Sequence, residues 1–153
     1  MQRFASVVLV DPRGWVLLQE RDEHPAIDPD KWGFVGGHLE PGEDFLPGAY
    51  RELEEETGIR LEEGLELFGQ FTVHHTHTDT DDEFQLFVMA TDLTDDDIEC
   101  HEGRQILFVD PARTAELDLT AAAGIALGEL LASDHYRRIR STRESTRGEG
   151  RNA

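Results

Sequence analysis

Cysteine is nearly absent: Cys100 is the only one in 153 residues. That excludes an intramolecular disulfide and a zinc site built on cysteines. Cys100 itself reads as a bystander in or near a strand. Long apolar runs are lacking too, and none approaches the roughly twenty residues a membrane-spanning helix needs. The opening residues, MQRFASVVLVDPRG, hold an apolar stretch, but Asp11 and a turn follow it without a cleavage-site pattern. The expectation is a first strand in a cytoplasmic protein, not a signal peptide. Basic residues are scarce, 14 against 33 acidic ones, for a formal net charge of −19. Six of those 14 are arginines between Arg137 and Arg151, so the body before them is more acidic still. Such a body repels nucleic-acid backbones. It repels a free nucleotide as well, unless bound cations invert the local potential. Nucleic acid and membrane are therefore not expected as partners.

Internal repeats are absent, and the length suits one domain with one core, expected over residues 1–140. The remainder, 141–153, has almost no apolar residue and is expected to be a frayed, arginine-containing tail. Within the domain, Phe4–Val10 (FASVVLV) reads as a largely buried strand. A turn at Asp11-Pro12-Arg13-Gly14 leads to Trp15–Glu20, pairing back as a hairpin. Asp22–Asp30 is a polar loop, and Lys31–Val35 a short strand that delivers the chain to Gly36-Gly37. A second hairpin is expected from Leu65–His74 and Glu83–Thr91 around a loop at His75–Asp82. One more strand follows at Gln105–Val109, and then a short helix at Pro111–Leu117 opened by Asp110. The last helix, Thr120–Arg138, has an apolar face at Ala123, Leu127, Leu130 and Leu131 that predicts core packing. Strands mixed with two or three helices suggest either an α+β fold or an α/β/α sandwich on a mixed sheet.

The centre of the chain is GHLEPGEDFLPGAYRELEEETGI, Gly37 to Ile59. Its second half reads as a helix starting near Pro47 and stopped by Gly58, which suits the left-handed position past a helix C-terminus. Glu52, Glu55 and Glu56 fall at i, i+3 and i+4 and so share one helix face. Like charges at that spacing repel, and the last helical turns already carry the negative end of the dipole. What the face does suit is a hard divalent cation, which takes carboxylate oxygens together with substrate phosphates.

The spacing Gly37, five residues, Glu43, seven residues, then Arg51-Glu52-Leu53-Glu54-Glu55-Glu56-Thr57-Gly58-Ile59 resembles the signature of the Nudix (MutT-like) hydrolases. All seven fixed identities and both aliphatic positions of that signature are met. The resemblance implies an α/β/α sandwich around a mixed β-sheet. It also implies a hydrolase that cleaves the pyrophosphate linkage of a nucleoside di- or triphosphate derivative, with a house-cleaning nucleoside triphosphate pyrophosphohydrolase among the candidates. Mg²⁺ is the implied cofactor, with Mn²⁺ as substitute, and a small nucleotide-type molecule the implied partner. Dimers are common in the family, so the resemblance also allows a homodimer. The alternative is a Nudix-like domain that senses a nucleotide or nucleotide sugar without turnover.

By the same resemblance, Glu52, Glu55, Glu56 and the carbonyl of Gly36 are implied metal ligands. Glu52 is the first candidate for general base, followed by Glu56. Glu102, before the strand at Gln105–Val109, is a further acidic candidate, in competition with Glu99 and Glu83. Arg51 either orients the carboxylates through a salt bridge or contacts phosphate. Glu43 braces the loop or joins the outer metal shell. Arg21 and His38 are candidates for phosphate contact, each against a plain surface role. His74, His75 and His77 read as a hydrated loop that can brush the substrate, against a second metal site as the alternative. Zinc ligands converge, often at i, i+4, whereas on an extended strand His74 and His75 point to opposite faces. They stand a short way past the box, where some subfamilies carry a marker tyrosine or proline, and neither marker is present. Phe4, Trp32, Phe34, Phe71, Phe84 and Phe87 are aromatic candidates either for base stacking or for the core.

Overall fold

In the computed structural model, which describes residues 1–25, 28–76 and 78–140, the sheet is built outward from β1 (Gln2–Val10). Ala5, Val7, Val8, Leu9 and Val10 are all fully buried. The two-residue period of a strand divides them: Ala5, Val7 and Leu9 face one core, Val8 and Val10 the other. Along one edge, β1 runs parallel to β6 (Thr80–Ala90), from Gln2↔Asp82 to Val10↔Ala90. Along the other it is antiparallel to β4 (Val35–His38) from Phe4↔His38 to Val7↔Val35. It meets β2 (Val16–Glu20) only at Val10↔Val16, so the expected first hairpin is reduced to a single pair. Beyond it β2 diverges and pairs instead with β3 (Trp32–Gly33) and β7 (Gln105–Val109). β5 (Glu66–His75) closes the far edge against β6, completing a mixed sheet of seven strands.

That divergence explains a correction. Lys31–Val35 is not one strand. Gly33 pairs with β2 and Val35 with β1, so the chain crosses between the splayed strands at Phe34. The loop expected at His75–Asp82 is also shorter. β5 continues through His75 and β6 restarts at Thr80, because His74 and His75 pair across the ladder with Asp81 and Thr80. His77 lies outside the described residues, as does the expected tail at 141–153.

Helices cover both faces, α1 on one and α2 on the other, giving the α/β/α sandwich. α1 (Phe45–Thr57) buries Ala49 and Leu53 against Ala5, Val7 and Leu9. α2 (Ala121–Leu131) buries Ala123, Ala126, Leu127 and Leu130 against Val8, Val10 and Val88. Each fully buried leucine among these contributes about 1.5–3 kcal/mol relative to exposure. α1 begins two residues before the expected Pro47. A proline is tolerated there because the N–H of a first-turn residue has no partner within the helix. Gly48, next in the chain, is buried, and a Cβ on it would lie 2.5 Å from Leu39 Cδ2. The last helix is broken, not continuous to Arg138. Ser133 Oγ donates to the Leu130 carbonyl at 2.6 Å and accepts the Tyr136 N–H at 3.1 Å. It thus ends α2 and caps a second helical stretch at 134–140. Among the described residues, no helix is long and apolar enough to cross a membrane.

Candidate active site

The C-terminus of α1 organises the site. Gly58 stops the helix at φ 76°, its N–H donating to the Glu54 carbonyl. The next carbonyls are taken by a distant segment. Glu99 N–H donates to Thr57 O at 3.0 Å and His101 N–H to Glu56 O at 2.9 Å. The His101 imidazole Nδ1 lies 2.7 Å from the Glu55 carbonyl. No Lys or Arg stands in the last turn of α1, so the strap around His101 does the capping that those residues often do. Its consequence is placement: the chain arrives at Glu102 directly beside Glu56. The Glu102 carbonyl is fixed in turn by Gln19 Nε2 at 2.8 Å. Of its two competitors, Glu99 pairs with His101 at 3.1 Å, and Glu83 stands opposite Thr72 on the β5–β6 ladder.

Glu56 is only 3% exposed, and its Oε2 accepts the Gly36 N–H at 2.8 Å. Burial, and then the neighbouring Glu102 carboxyl, push its pKa up to about 10. Glu52 is also raised, by burial first, with Arg51 opposing. Two glycines are needed here, Gly36 for the close approach of β1 and Gly37 for the Glu52 carboxylate. A Cβ on Gly36, at φ +150°, would lie 2.1 Å from the Ala5 carbonyl, and one on Gly37 would lie 2.7 Å from the Glu52 carboxylate. The contact that Gly36 makes with the cluster is through its N–H, where the family resemblance implies the carbonyl as a ligand. Glu55, the third carboxylate of the helix face, has a side chain that is 56% exposed.

Arg51 is the cation of this cluster. It forks onto Glu43 through Nε at 2.8 Å and a terminal nitrogen at 2.7 Å. Its other terminal nitrogen reaches Glu52 at 2.9 Å and Glu55 at 3.1 Å. The hydrogen bonds from Arg51 hold the Glu43 pKa down to about 2. The guanidinium is thus turned onto carboxylates, and Arg51 is not among the residues that line the adjoining cavity. Glu43 braces the loop, since it also accepts the Glu40 N–H at 3.0 Å.

The cavity, about 350 Å³, opens on the α2 face of the sheet. At one end stand Gly36, Gly37, Glu52 and Glu102, with Arg21 and His38 beside them. Glu56 lies beneath this wall and Glu55 outside it. Arg21 Nε donates to the Asp28 carbonyl at 3.1 Å, and the His38 ring meets Phe4 edge-on at 5.8 Å. Across the sheet the wall is formed by Phe4, Phe34, His75 and Asp82. Phe4 stacks on the fully buried Phe84 at 4.9 Å, and Phe34, Phe84 and Phe87 belong to the core. His75 Nε2 stands 3.0 Å from Asp82 Oδ2. His74, on the opposite face, bonds Asp81 at 2.6 Å. Two features escape a linear reading of the sequence: the strap of Glu99 and His101, and the pairing of His75 with Asp82. The first joins segments distant in sequence. The second depends on the register of the β5–β6 hairpin, and only the excess of His and Asp around 74–82 hints at it.

The donor set fits a hard divalent cation. Glu52, Glu56 and Glu102 offer oxygen only, and the pKa of Glu56 is raised first by burial and then by the Glu102 carboxyl beside it, both of which a bound cation would oppose. Among the described residues no three His, Cys, Asp or Glu side chains converge on one point. Glu52 and Glu55 are drawn aside by Arg51, so closing a ligand shell requires them to turn inward.

A model of the NUDIX domain matches residues 2–127. The m7GpppN-mRNA hydrolase NUDT17 of Bos taurus is 42% identical over 59 residues, 39% of this chain and 20% of that protein. An RNA pyrophosphohydrolase of Caulobacter vibrioides is 42% identical over 65 residues, 42% of this chain and 35% of that one. The chain thus spans between a fifth and about a third of the length of these two relatives. In fold, it is similar to the MutT protein of Methanosarcina mazei, with TM-score 0.68 and 20% identity over 92% of this chain and 94% of the other. With a domain match over most of its length, a complete box and the α/β/α sandwich, the chain belongs to the Nudix family of hydrolases.

Proposed function

We propose that the protein is a divalent-cation-dependent hydrolase of the pyrophosphate linkage in a nucleoside di- or triphosphate derivative, with Mg²⁺ as the cation. The observation that carries this is the carboxylate nest: Glu56 almost fully buried on the Gly36 N–H, Glu102 strapped against it, and Glu52 opening onto the cavity. Burying carboxyl groups side by side costs a fold stability. Glu52, Glu56 and Glu102, with Gly36 and, on turning inward, Glu55, would hold the cation. When bound, the cation supplies neutralisation of phosphate charge and polarisation of the phosphoryl oxygens and of water.

The chain's own residues do the rest. Glu52 faces the cavity, and its raised pKa makes it a stronger base than an ordinary carboxylate; it takes the proton of the attacking water. Arg51 positions Glu52 and Glu55 and does not touch substrate. Arg21 and His38, at the same end of the cavity, offer donors to phosphate oxygens. The relatives named as pyrophosphohydrolase and cap hydrolase support a phosphoanhydride as the bond cleaved. The net charge of −19 favours a small nucleotide over an RNA.

The test is release of phosphate or pyrophosphate, with Mg²⁺ or with chelator, across nucleoside triphosphates, nucleotide sugars, ADP-ribose, dinucleoside polyphosphates and 5′-triphosphate RNA. A rate on one class that needs Mg²⁺, and that falls about a hundredfold or more in Glu52→Gln, is the expected result. Unchanged turnover in that variant would remove Glu52 as base, and silence on every substrate would overturn the hydrolase.

A further inference from the structure

The far wall of the cavity holds a polar pair that the hydrolytic chemistry does not use. His75 lies on β5 and Asp82 on β6, both side chains about nine-tenths buried, 10% and 9% exposed. Both line the cavity. The two Asp82 oxygens are assigned separately: Oδ1 accepts the Gln2 N–H at 3.1 Å, and Oδ2 faces His75 Nε2 at 3.0 Å. An ionised carboxylate accepts hydrogen bonds and does not donate them. In a neutral ring, the proton therefore sits on Nε2 and Nδ1 keeps a lone pair. Among the described residues no hydrogen bond or ion pair occupies Nδ1.

The position of this pair suits the base of a nucleotide. From the glutamate end of the cavity the sheet runs β4, β1, β6, β5. Three interstrand steps separate the two ends, roughly 14 Å, the scale of an extended nucleotide. Phe4, midway on β1, backs this path with a ring stacked on Phe84. Its partly buried face is apolar surface against which a base can lie.

We propose that His75, oriented by Asp82, is the base-selecting residue: Nδ1 accepts a hydrogen bond from an exocyclic amino group, so adenine or cytosine is taken in preference to the carbonyl counterpart, hypoxanthine or uracil. This rests on the nucleotide-hydrolase reading above, and it predicts how to reverse the choice. In Asp82→Asn the Gln2 N–H still requires an oxygen. The amide nitrogen must then face His75 Nε2 and donate to it. The ring proton moves to Nδ1, and the wall atom changes from acceptor to donor.

The experiment compares kcat/KM for ATP against ITP and for CTP against UTP with Mg²⁺, in the wild type and in Asp82→Asn. The ¹⁵N spectrum of the histidine rings reads the tautomer independently of turnover. The wild type should favour the amino-bearing member of the pair it hydrolyses by about tenfold, the worth of one hydrogen bond left unmade. Most of that should lie in KM. Asp82→Asn should invert the ratio and move the His75 proton from Nε2 to Nδ1. Should that variant fail to fold, His75→Phe takes its place and should bring the ratio near one. Hydrolysis with ATP/ITP and CTP/UTP ratios within about twofold, or a proton on Nδ1 in the wild type at pH 8, overturns the selection while leaving the hydrolase standing. If none of the four is bound or hydrolysed, the selection is overturned, while the hydrolase stands or falls separately on the wider substrate panel.

Discussion

Arg51 spends its five donors on three carboxylates and one carbonyl, and this sets what its loss would do. Its fork onto Glu43 is bidentate, with side chains only 22% and 14% exposed, so it is worth more than a surface pair. Arg51→Ala should cost about 2 kcal/mol in a urea titration at pH 7, much of it the cost of leaving Glu43 and Glu52 without their cation. The pH dependence has a definite sign. Glu43 titrates near 2 in the folded chain against an ordinary 4.5. Between those values the unfolded chain binds more protons, so this contribution is complete above about pH 4.5 and disappears as the pH falls toward 2. Wild-type stability should therefore drop across that window, and Arg51→Ala should show a shallower fall. An equal slope in both proteins would mean that the fork contributes nothing.

At the scale of elements, α1 carries its charges at a cost that a cation would offset. Glu56 has its folded pKa near 10 against 4.5, so between those values the folded chain binds the extra proton. Stability from this group is then lost as pH rises. In chelator, the melting temperature should fall from about pH 5 to pH 9, and saturating Mg²⁺ should flatten the slope by stabilising the ionised form. Glu56→Gln should flatten it too, since a glutamine oxygen can keep the Gly36 N–H while its amide donates to Glu102. It should melt higher than the wild type in chelator and yet lose turnover, as expected where a site is built at the expense of stability. A wild-type slope that Mg²⁺ leaves unchanged would separate Glu56 from any metal. The helix itself was legible in the sequence because its evidence is local: the i, i+3, i+4 glutamates and the terminating Gly58. Its partners were legible only as candidates. Glu102 competed with Glu99 until the capping of the Glu55, Glu56 and Thr57 carbonyls showed which residue the strap delivers. The break at Ser133 and the split at Phe34 were missed for a similar reason. Each answers to tertiary packing, Tyr136 reaching Gly14 in one case and the divergence of β1 from β2 in the other.

For the whole molecule, the net charge of −19 raises the question whether divalent cations act at one place or on the entire acidic surface. A chain so charged repels itself, and salt should stabilise it. Raising NaCl from about 20 mM to about 300 mM shortens the screening length from roughly 20 Å to roughly 6 Å. A gain of about 1 kcal/mol from this corresponds to about 2–4 °C in melting temperature for a chain of this size. Screening depends on ionic strength and not on which residues bear the charge, so it should be the same in the wild type and in Glu56→Gln. Occupancy of the carboxylate nest should instead appear as extra stabilisation by MgCl₂ over NaCl at matched ionic strength, growing with the logarithm of Mg²⁺ concentration. We expect that excess in the wild type and its loss in Glu56→Gln, both measured at pH 8. If MgCl₂ and NaCl coincide at matched ionic strength in the wild type, the acidity acts only as a screened surface, and the nest at Glu52, Glu56 and Glu102 does not bind the cation on its own.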